Sequence, residues 1–134
     1  MTTHKLVHYH APQTRSFAIR WLFDELGSPP HELKVLNLKK GEHKSPAYLS
    51  INPMGKVPAI VDGDTIVTEA AAIALYLADA FPDVGLAPKI GEAARGTYLR
   101  WIVFNQAAVE PAVTDRALKR DPGPASVSSS VRAA

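Results

Sequence analysis

The sequence predicts an α/β fold in which a parallel strand pair continues into an antiparallel hairpin and helices cover the sheet. Three observations indicate this fold class. Short apolar runs alternate with segments of helical apolar spacing over the first 81 residues. A turn signal, Asp62-Gly63-Asp64, separates two strand-like runs and predicts the hairpin. From residue 92 onward the pattern is helical only, which predicts a partial all-α region.

The first 81 residues predict the order β-α-β-α-β-β-α. We expect strands at residues 5–9, 32–38, 57–61 and 65–67. We expect a first helix that is capped by Thr14 or Ser16 and runs to Leu26. Two further helices are expected at 46–51, capped by Ser45, and at 69–81, capped by Thr68. Because a strand–helix–strand unit has parallel strands and a right-handed crossover, this order corresponds to a thioredoxin-like arrangement.

Composition shifts divide the chain into four segments. Residues 1–81 form the expected thioredoxin-like domain, and 82–91 contain a proline-bounded linker. Residues 92–120 predict a partial helical domain. Its first helix, 92–109, is apolar on most sides and is kinked or ended by Pro111, and a weaker helix is expected to continue over 112–120. Residues 121–134 are rich in Pro, Ser and Ala, so we expect them to be disordered.

The overall composition excludes several classes of function. The 134 residues carry a net charge of +2 without a long basic block, which argues against nucleic-acid binding. No apolar run is long enough to span a membrane, and no signal-peptide core precedes the first strand, so we expect a cytoplasmic protein. Cysteine is absent, which excludes disulfides, thiolate metal sites and a catalytic thiol of the protein itself.

Two segments carry the strongest functional signal. In the first, 52–60, Pro58 stands at the start of a strand, where proline is tolerated and where a cis Val57–Pro58 bond would fit a tight turn. Such a turn would direct the Val57 backbone outward, toward an extended peptide-like ligand. In the second, 69–73, Glu69 and Ala70 open a helix whose first amides can receive a carboxylate. Taken singly, each residue has a simpler interpretation. Pro58 would be an ordinary proline at the start of a strand, and Glu69 an acid that favours the first turn of a helix.

Together, in this order and separation, the two segments resemble the glutathione site of glutathione transferases. The resemblance covers roughly residues 5–111 and includes the opening 8–27. It implies that Val57 pairs its backbone with the cysteinyl part of glutathione, that Pro58 is the cis residue, and that Glu69 binds the α-amino group. Ala70 stands where the family usually has a Ser or Thr that binds the γ-glutamyl carboxylate, so one hydroxyl is missing.

The same resemblance implies positions for the remaining contacts. Lys56 would lie beside the glycyl end of the tripeptide, and Lys44 is a second candidate for the glycyl carboxylate. The family's sulfur-activating residue lies near the end of the first strand. Here the candidates are Tyr9, Thr14 and Ser16; we favour Thr14 or Ser16, with Arg15 supplying positive potential at the helix start.

The leading hypothesis is therefore a glutathione transferase-like protein that binds glutathione and, if it is catalytic, conjugates the glutathione thiolate to a small electrophile. It needs no metal and is expected to form a homodimer through the helices at 69–81 and 92–109. The alternative is a non-catalytic glutathione-binding or interaction protein on the same fold, motivated by Ala70 and the short helical part. The absence of cysteine argues strongly against a third hypothesis, a thiol–disulfide oxidoreductase.

Three histidines lie in or next to the first predicted strand, His4, His8 and His10, and in an extended segment all three would share one face. Their spacing could suggest a metal site. No carboxylate or thiol motif lies nearby, so we expect surface or partly buried histidines instead.

Overall fold

The computed structural model describes residues 3–121, and the chain divides into two compact units, Met1–Ala87 and Pro88–Ala134. The predicted disordered segment, 121–134, lies outside the described residues except for Asp121. In the part of the chain that is described, no helix combines the length and the hydropathy that crossing a bilayer requires.

The elements of the first unit follow the predicted order. They are β1 (Leu6–His10), α1 (Ser16–Glu25), β2 (His31–Val35), α2 (Pro46–Leu49), β3 (Ala59–Asp62), β4 (Thr65–Thr68) and α3 (Ala70–Ala80). The second unit contains α4 (Ala94–Phe104) and α5 (Glu110–Ala117), joined by a π-helical stretch, Asn105–Val109.

The sheet has the strand order β2-β1-β3-β4. β1 pairs in parallel with β2, and the pairs β1–β3 and β3–β4 are antiparallel. This mixed sheet with its helices confirms the predicted fold class. β1 contacts two strands because the crossover through α1 returns the chain to one side of it and the hairpin fills the other.

The core of the first unit joins the sheet to α1 and α3. Phe23 of α1 and Ile73 of α3 meet Ile60 of β3 there, each at most 1% exposed. Full burial of a side chain of this size contributes about 1.5 to 3 kcal/mol. The core therefore fixes α1 and α3 against the strands whose ends carry the candidate site.

The histidine prediction is wrong for His8, which is fully buried within this core. Its ring stacks on Phe23 with centroids 5.4 Å apart, and neither ring nitrogen has a hydrogen-bond partner among the described residues. The alternation of β1 explains the burial, because His8 lies on the same face as Leu6 and His10. Among residues 3–121, no group of three or more histidines and acids could hold a metal ion.

Two predicted helix caps differ from the structure. At α1 the N-cap residue is Arg15, which makes no side-chain capping bond, and Ser16 is already helical. At α3 the N-cap residue is Glu69, because Thr68 still pairs with Ala59 in the hairpin. Ser45 caps α2 as predicted, since its hydroxyl accepts from the Tyr48 N–H at 3.3 Å.

In the second unit the helix continues through Pro111, which we expected to kink or end it. Pro111 lies in the first turn of α5, directly after the π-helical stretch. Proline offers no N–H to the turn before it, and its ring crowds the carbonyl four residues back. A wider π-helical turn accommodates both effects, so the chain remains helical to Ala117.

Candidate functional site

The candidate site begins at the turn before β3, where the Val57–Pro58 bond is cis as predicted. Two side chains bind the carbonyl just before this turn. The Tyr48 hydroxyl donates to the Lys56 carbonyl at 2.5 Å, and the Asn52 amide donates to it at 2.8 Å. Burial raises the pKa of Tyr48 to about 12, so its phenol stays a donor.

Val57 itself lies outside the strand ladder. The ladder between β1 and β3 ends at the pair Tyr9–Ala59, so sheet pairing does not use the backbone of Val57. Val57 is half-buried and Pro58 is buried. The backbone groups of Val57 thus lie at the end of the sheet, and the preceding residue is held by hydrogen bonds from α2 and the turn that follows it.

Sheet register brings the predicted segments to one end of the sheet. Tyr9, Ala59 and Thr68 stand side by side across β1, β3 and β4. Pro58 comes directly before Ala59, and Glu69 directly after Thr68. The loop from β1 into α1 leaves from the same end, so the peptide-pairing turn, the acid and the loop hydroxyls lie along one edge.

Glu69 has an unusual backbone, with φ 70° and ψ 121°. Positive φ is uncommon for a residue with a side chain, and such strain costs about 1 to 3 kcal/mol and concentrates at functional sites. Its side chain is exposed, and its carbonyl accepts from the Ile73 N–H at 2.9 Å. Glu69 therefore keeps its carboxylate in solvent beside the first amides of α3, while Ala70 behind it is half-buried.

The two lysine candidates lie on either side of the turn. The Lys44 ammonium donates to the Met54 carbonyl at 3.1 Å, beside the buried Gly55. Lys56 is exposed and is fixed through its backbone carbonyl by Tyr48. Both cations flank the segment before Pro58, where a carboxylate could bind.

The two hydroxyl candidates are linked but have different exposure. Thr14 Oγ1 and Ser16 Oγ lie 2.6 Å apart, and Ser16 Oγ lies 2.7 Å from His10 Nδ1. Ser16 is fully buried and Thr14 is half-buried. Of the two, Thr14 is therefore the hydroxyl that a ligand can reach, and Ser16 lies behind it.

His10 also lines a cavity of about 540 Å³. Its wall combines three apolar side chains with two polar ones and His10 itself; these are Pro12, Phe17, Val35, Gln13 and Arg20. Burial, with the nearby positive charge of Arg20, lowers the pKa of His10. The His10 ring is therefore neutral at neutral pH and carries a single N–H.

Three residues of this arrangement were missed by the sequence analysis. Asn52 could have been found, because asparagine before a Pro-x-Gly turn commonly bonds to nearby backbone. Tyr48 and His10 carry no comparable local signal, since their roles depend on contacts made through the folded chain.

The family model described as "Glutathione S-transferase, N-terminal domain" matches residues 4–79. The chain belongs to the glutathione S-transferase family. Over 84 residues it is 40% identical to glutathione S-transferase theta-1 of Bos taurus, an alignment that covers 60% of this chain and 35% of that protein. The chain thus spans about a third of the length of this curated relative.

Solved glutathione transferases share the fold. A homolog from Sulfitobacter with bound glutathione matches with a TM-score of 0.72 and 28% identity, covering 92% of this chain and 60% of that one. A glutathione transferase from Phanerochaete chrysosporium in complex with oxidized glutathione matches with a TM-score of 0.75 and 29% identity, covering 85% and 54%.

Proposed function

We propose that this glutathione S-transferase family member binds glutathione along the shared end of β1, β3 and β4. The observation that carries the proposal is the register, which aligns the cis-proline turn with the start of α3. The Val57 backbone pairs with the cysteinyl residue, and the Glu69 carboxylate binds the α-amino group in a charge-assisted contact. The backbone N–H of Ala70 receives the γ-glutamyl carboxylate, and Lys44 and Lys56 attract the glycyl carboxylate.

The reaction follows from the position of Thr14. The glutathione thiol loses its proton to solvent, and the Thr14 hydroxyl donates to the sulfur and favours the thiolate. The N-terminus of α1 and Arg15 add positive potential. The thiolate then attacks a small electrophile: a carbon–sulfur bond forms as the leaving group departs or the electron pair moves into the acceptor. Solved relatives with bound glutathione or oxidized glutathione support this choice of ligand.

A homodimer in the cytoplasm is part of the same proposal. Large apolar side chains of α4 are exposed, among them Trp101 at 57% and Phe104 at 38%, whose rings lie 5.7 Å apart between centroids. Contiguous exposed apolar side chains commonly mark protein interfaces. Sedimentation at micromolar concentration tests this, and a compact monomer that remains soluble would contradict it.

A non-catalytic glutathione-binding protein is the second candidate. It is favoured by Ala70, which leaves the γ-glutamyl carboxylate without a hydroxyl donor. Losing one ordinary hydrogen bond weakens binding by about 1 kcal/mol.

Calorimetric titration with glutathione tests the binding, and a glutathione-dependent assay over a panel of small electrophiles tests the chemistry. Saturable binding that Glu69→Gln weakens, together with turnover, is the expected result. Binding without turnover on any electrophile would leave only the second candidate. No binding of glutathione by the folded protein would overturn both.

A further inference from the structure

His10 lies at one end of a short chain of polar atoms that leads to Thr14. Its Nδ1 is 2.7 Å from Ser16 Oγ, which is 2.6 Å from Thr14 Oγ1. Ser16 Oγ also accepts from the Ala11 N–H at 3.1 Å, and Thr14 Oγ1 donates to the Ala11 carbonyl at 2.7 Å. Ser16 Oγ also lies 3.1 Å from the Ala11 carbonyl, a longer contact than its 2.6 Å to Thr14, and the Ser16 N–H donates to Thr14 Oγ1 at 3.3 Å. The two hydroxyls supply one hydrogen each, so the directions of the His10–Ser16 and Ser16–Thr14 contacts depend on which nitrogen of His10 carries its proton.

The first tautomer has the proton on Nε2. Ser16 then donates its single hydrogen to Nδ1. The hydrogen bond between the two hydroxyl oxygens, 2.6 Å apart, must therefore use the hydrogen of Thr14. If the Thr14 hydrogen turned to a ligand sulfur, that contact would hold two oxygens with no hydrogen between them. This tautomer therefore opposes a Thr14–sulfur bond.

The second tautomer has the proton on Nδ1. His10 then donates to Ser16, and Ser16 donates to Thr14. The Thr14 hydroxyl hydrogen is not needed for either of these bonds and donates to the Ala11 carbonyl. It can therefore turn to a ligand sulfur while the His10–Ser16 and Ser16–Thr14 hydrogen bonds stay intact. Only the bond to Ala11 has to loosen. The hydrogen bonds of such a chain also polarise one another, which strengthens the last donor.

We propose that His10 is a positioning residue, which donates from Nδ1 to the buried Ser16 and so directs the Thr14 hydroxyl toward the glutathione sulfur. The inference rests on the proposed glutathione site and assigns a role to a residue on the far side of Ser16 from the ligand. Ser16 takes no part in contact with the ligand, because its hydroxyl is enclosed between His10, Thr14 and Ala11. His10 acts on the thiol only through the two hydroxyls.

The surroundings of His10 fit a donor that stays neutral. The charged or titratable groups facing it are His8 of the same strand, 5.8 Å away between ring centroids, and Arg20 of α1. Burial of the ring and the positive charge of Arg20 disfavour a second proton on His10 and so lower its pKa. The ring also lines the cavity beside α1, where Nε2 can accept from water.

The test measures the pKa of the bound glutathione thiol from the ultraviolet absorption of its thiolate, in the full chain. His10→Phe keeps the ring shape and removes both nitrogens, and we expect the thiol pKa to rise by about 1, the equivalent of one lost hydrogen bond. His10→Asn places an amide N–H near the position of Nδ1 and is expected to restore most of the shift. His31→Phe, the same change on the neighbouring strand, is the matched control and is expected to leave the thiol unchanged.

A double-mutant cycle tests the path. Thr14→Val removes the last donor, so adding His10→Phe to it is expected to change the thiol pKa no further. Two independent, additive shifts would overturn the proposal, as would an unchanged thiol in His10→Phe. If His10→Phe does not fold, Ser16→Ala makes the same test, because it removes the middle hydroxyl and leaves the ring.

S-methylglutathione, which has no ionisable thiol, separates this proposal from the glutathione site itself. It is expected to bind the wild type and all variants with affinities within about twofold. A variant in which the loop between β1 and α1 had lost its structure would bind it more weakly. Wild-type protein that fails to bind it would overturn the glutathione site, and the role of His10 with it. Binding with an unmoved thiol pKa would overturn only the role of His10.

Discussion

The Nζ atom of Lys44 lies over Gly55, 2.6 Å from the point where a Cβ atom on that residue would stand. The His43 carbonyl lies on the same side, 2.9 Å from that point. Gly55 has φ +58°, a conformation that favours glycine for a separate reason. The absence of a side chain at Gly55 thus lets Lys44 reach the turn that precedes Pro58.

Gly55→Ala is expected to destabilise the protein and weaken glutathione binding. Gly63→Ala is the matched control, because Gly63 has the same φ of +58° but nothing within 4 Å of its Cβ position. Both variants carry the positive-φ cost of about 1 to 2 kcal/mol. Lys44 can swing away, but the His43 carbonyl is backbone, so Gly55→Ala adds about 1 to 3 kcal/mol for overpacking. Equal unfolding free energies in urea for the two variants would contradict the close contact.

Glu69→Ala is expected to weaken glutathione binding by about 1.5 to 3 kcal/mol, the range for a hydrogen bond to a charged group. Calorimetric titration measures the loss. Glu92→Ala, at an exposed acid of the second unit, is the control for a general effect of charge. A folded Glu69→Ala protein with wild-type affinity would remove this residue from the site.

Ala70→Ser is expected to tighten glutathione binding by about 1 kcal/mol, because it adds one hydroxyl donor for the γ-glutamyl carboxylate. The half-buried position has room for a side chain close to alanine in size. Ala71→Ser, one residue further along α3, serves as the comparison. A complex no tighter than that of the wild type would refute the missing-hydroxyl argument.

The buried His8 predicts a pH dependence of stability. Burial, with His10, His31 and Arg20 adding smaller effects, lowers the pKa of His8 from 6.5 to about 4. Between these values the unfolded chain binds a proton that the folded chain excludes, so the free energy of unfolding rises with pH through this window. The contribution of His8, roughly 3 kcal/mol, is fully present above pH 6.5 and is lost as the pH falls to 4.

His8→Leu removes the titrating group from the core and is expected to flatten this part of the stability profile. Urea unfolding at several pH values between 4 and 7 measures the difference between the two proteins. The difference between the wild-type and His8→Leu profiles of unfolding free energy cancels the contribution of the carboxylates, which titrate in both proteins. Parallel profiles would show that His8 does not resist protonation.

Local chemistry predicted the elements and the turn of the site. The proline at the start of a strand, the turn residues of the hairpin and the cap at Ser45 each act within a few residues, and each is found where expected. The cap of α3 was misplaced because Thr68 has both strand and cap chemistry, and only pairing with Ala59 decides between them.

The network behind Thr14 could not be predicted, because its geometry depends on how α1 meets β1. Ser16 is as good a surface cap as Thr14 by residue type. Its burial follows from the first turn of α1 lying against the end of β1, where His10 and Ala11 bind its hydroxyl. The role of Tyr48 was hidden for a similar reason, since its hydroxyl reaches the Lys56 carbonyl from α2.

The central position of β1 has a consequence for how the chain assembles. During synthesis, the middle strand of the sheet is made first, yet its antiparallel partner, Ala59–Asp62, emerges some fifty residues later. Until then β1 can pair only with β2, and the end of the sheet that carries the candidate site lacks the turn at Pro58. Because contacts between residues distant in sequence slow folding, completion of the sheet is expected to be the late step. Deleting the first ten residues would leave β2 and the hairpin as two separate pieces without a shared strand.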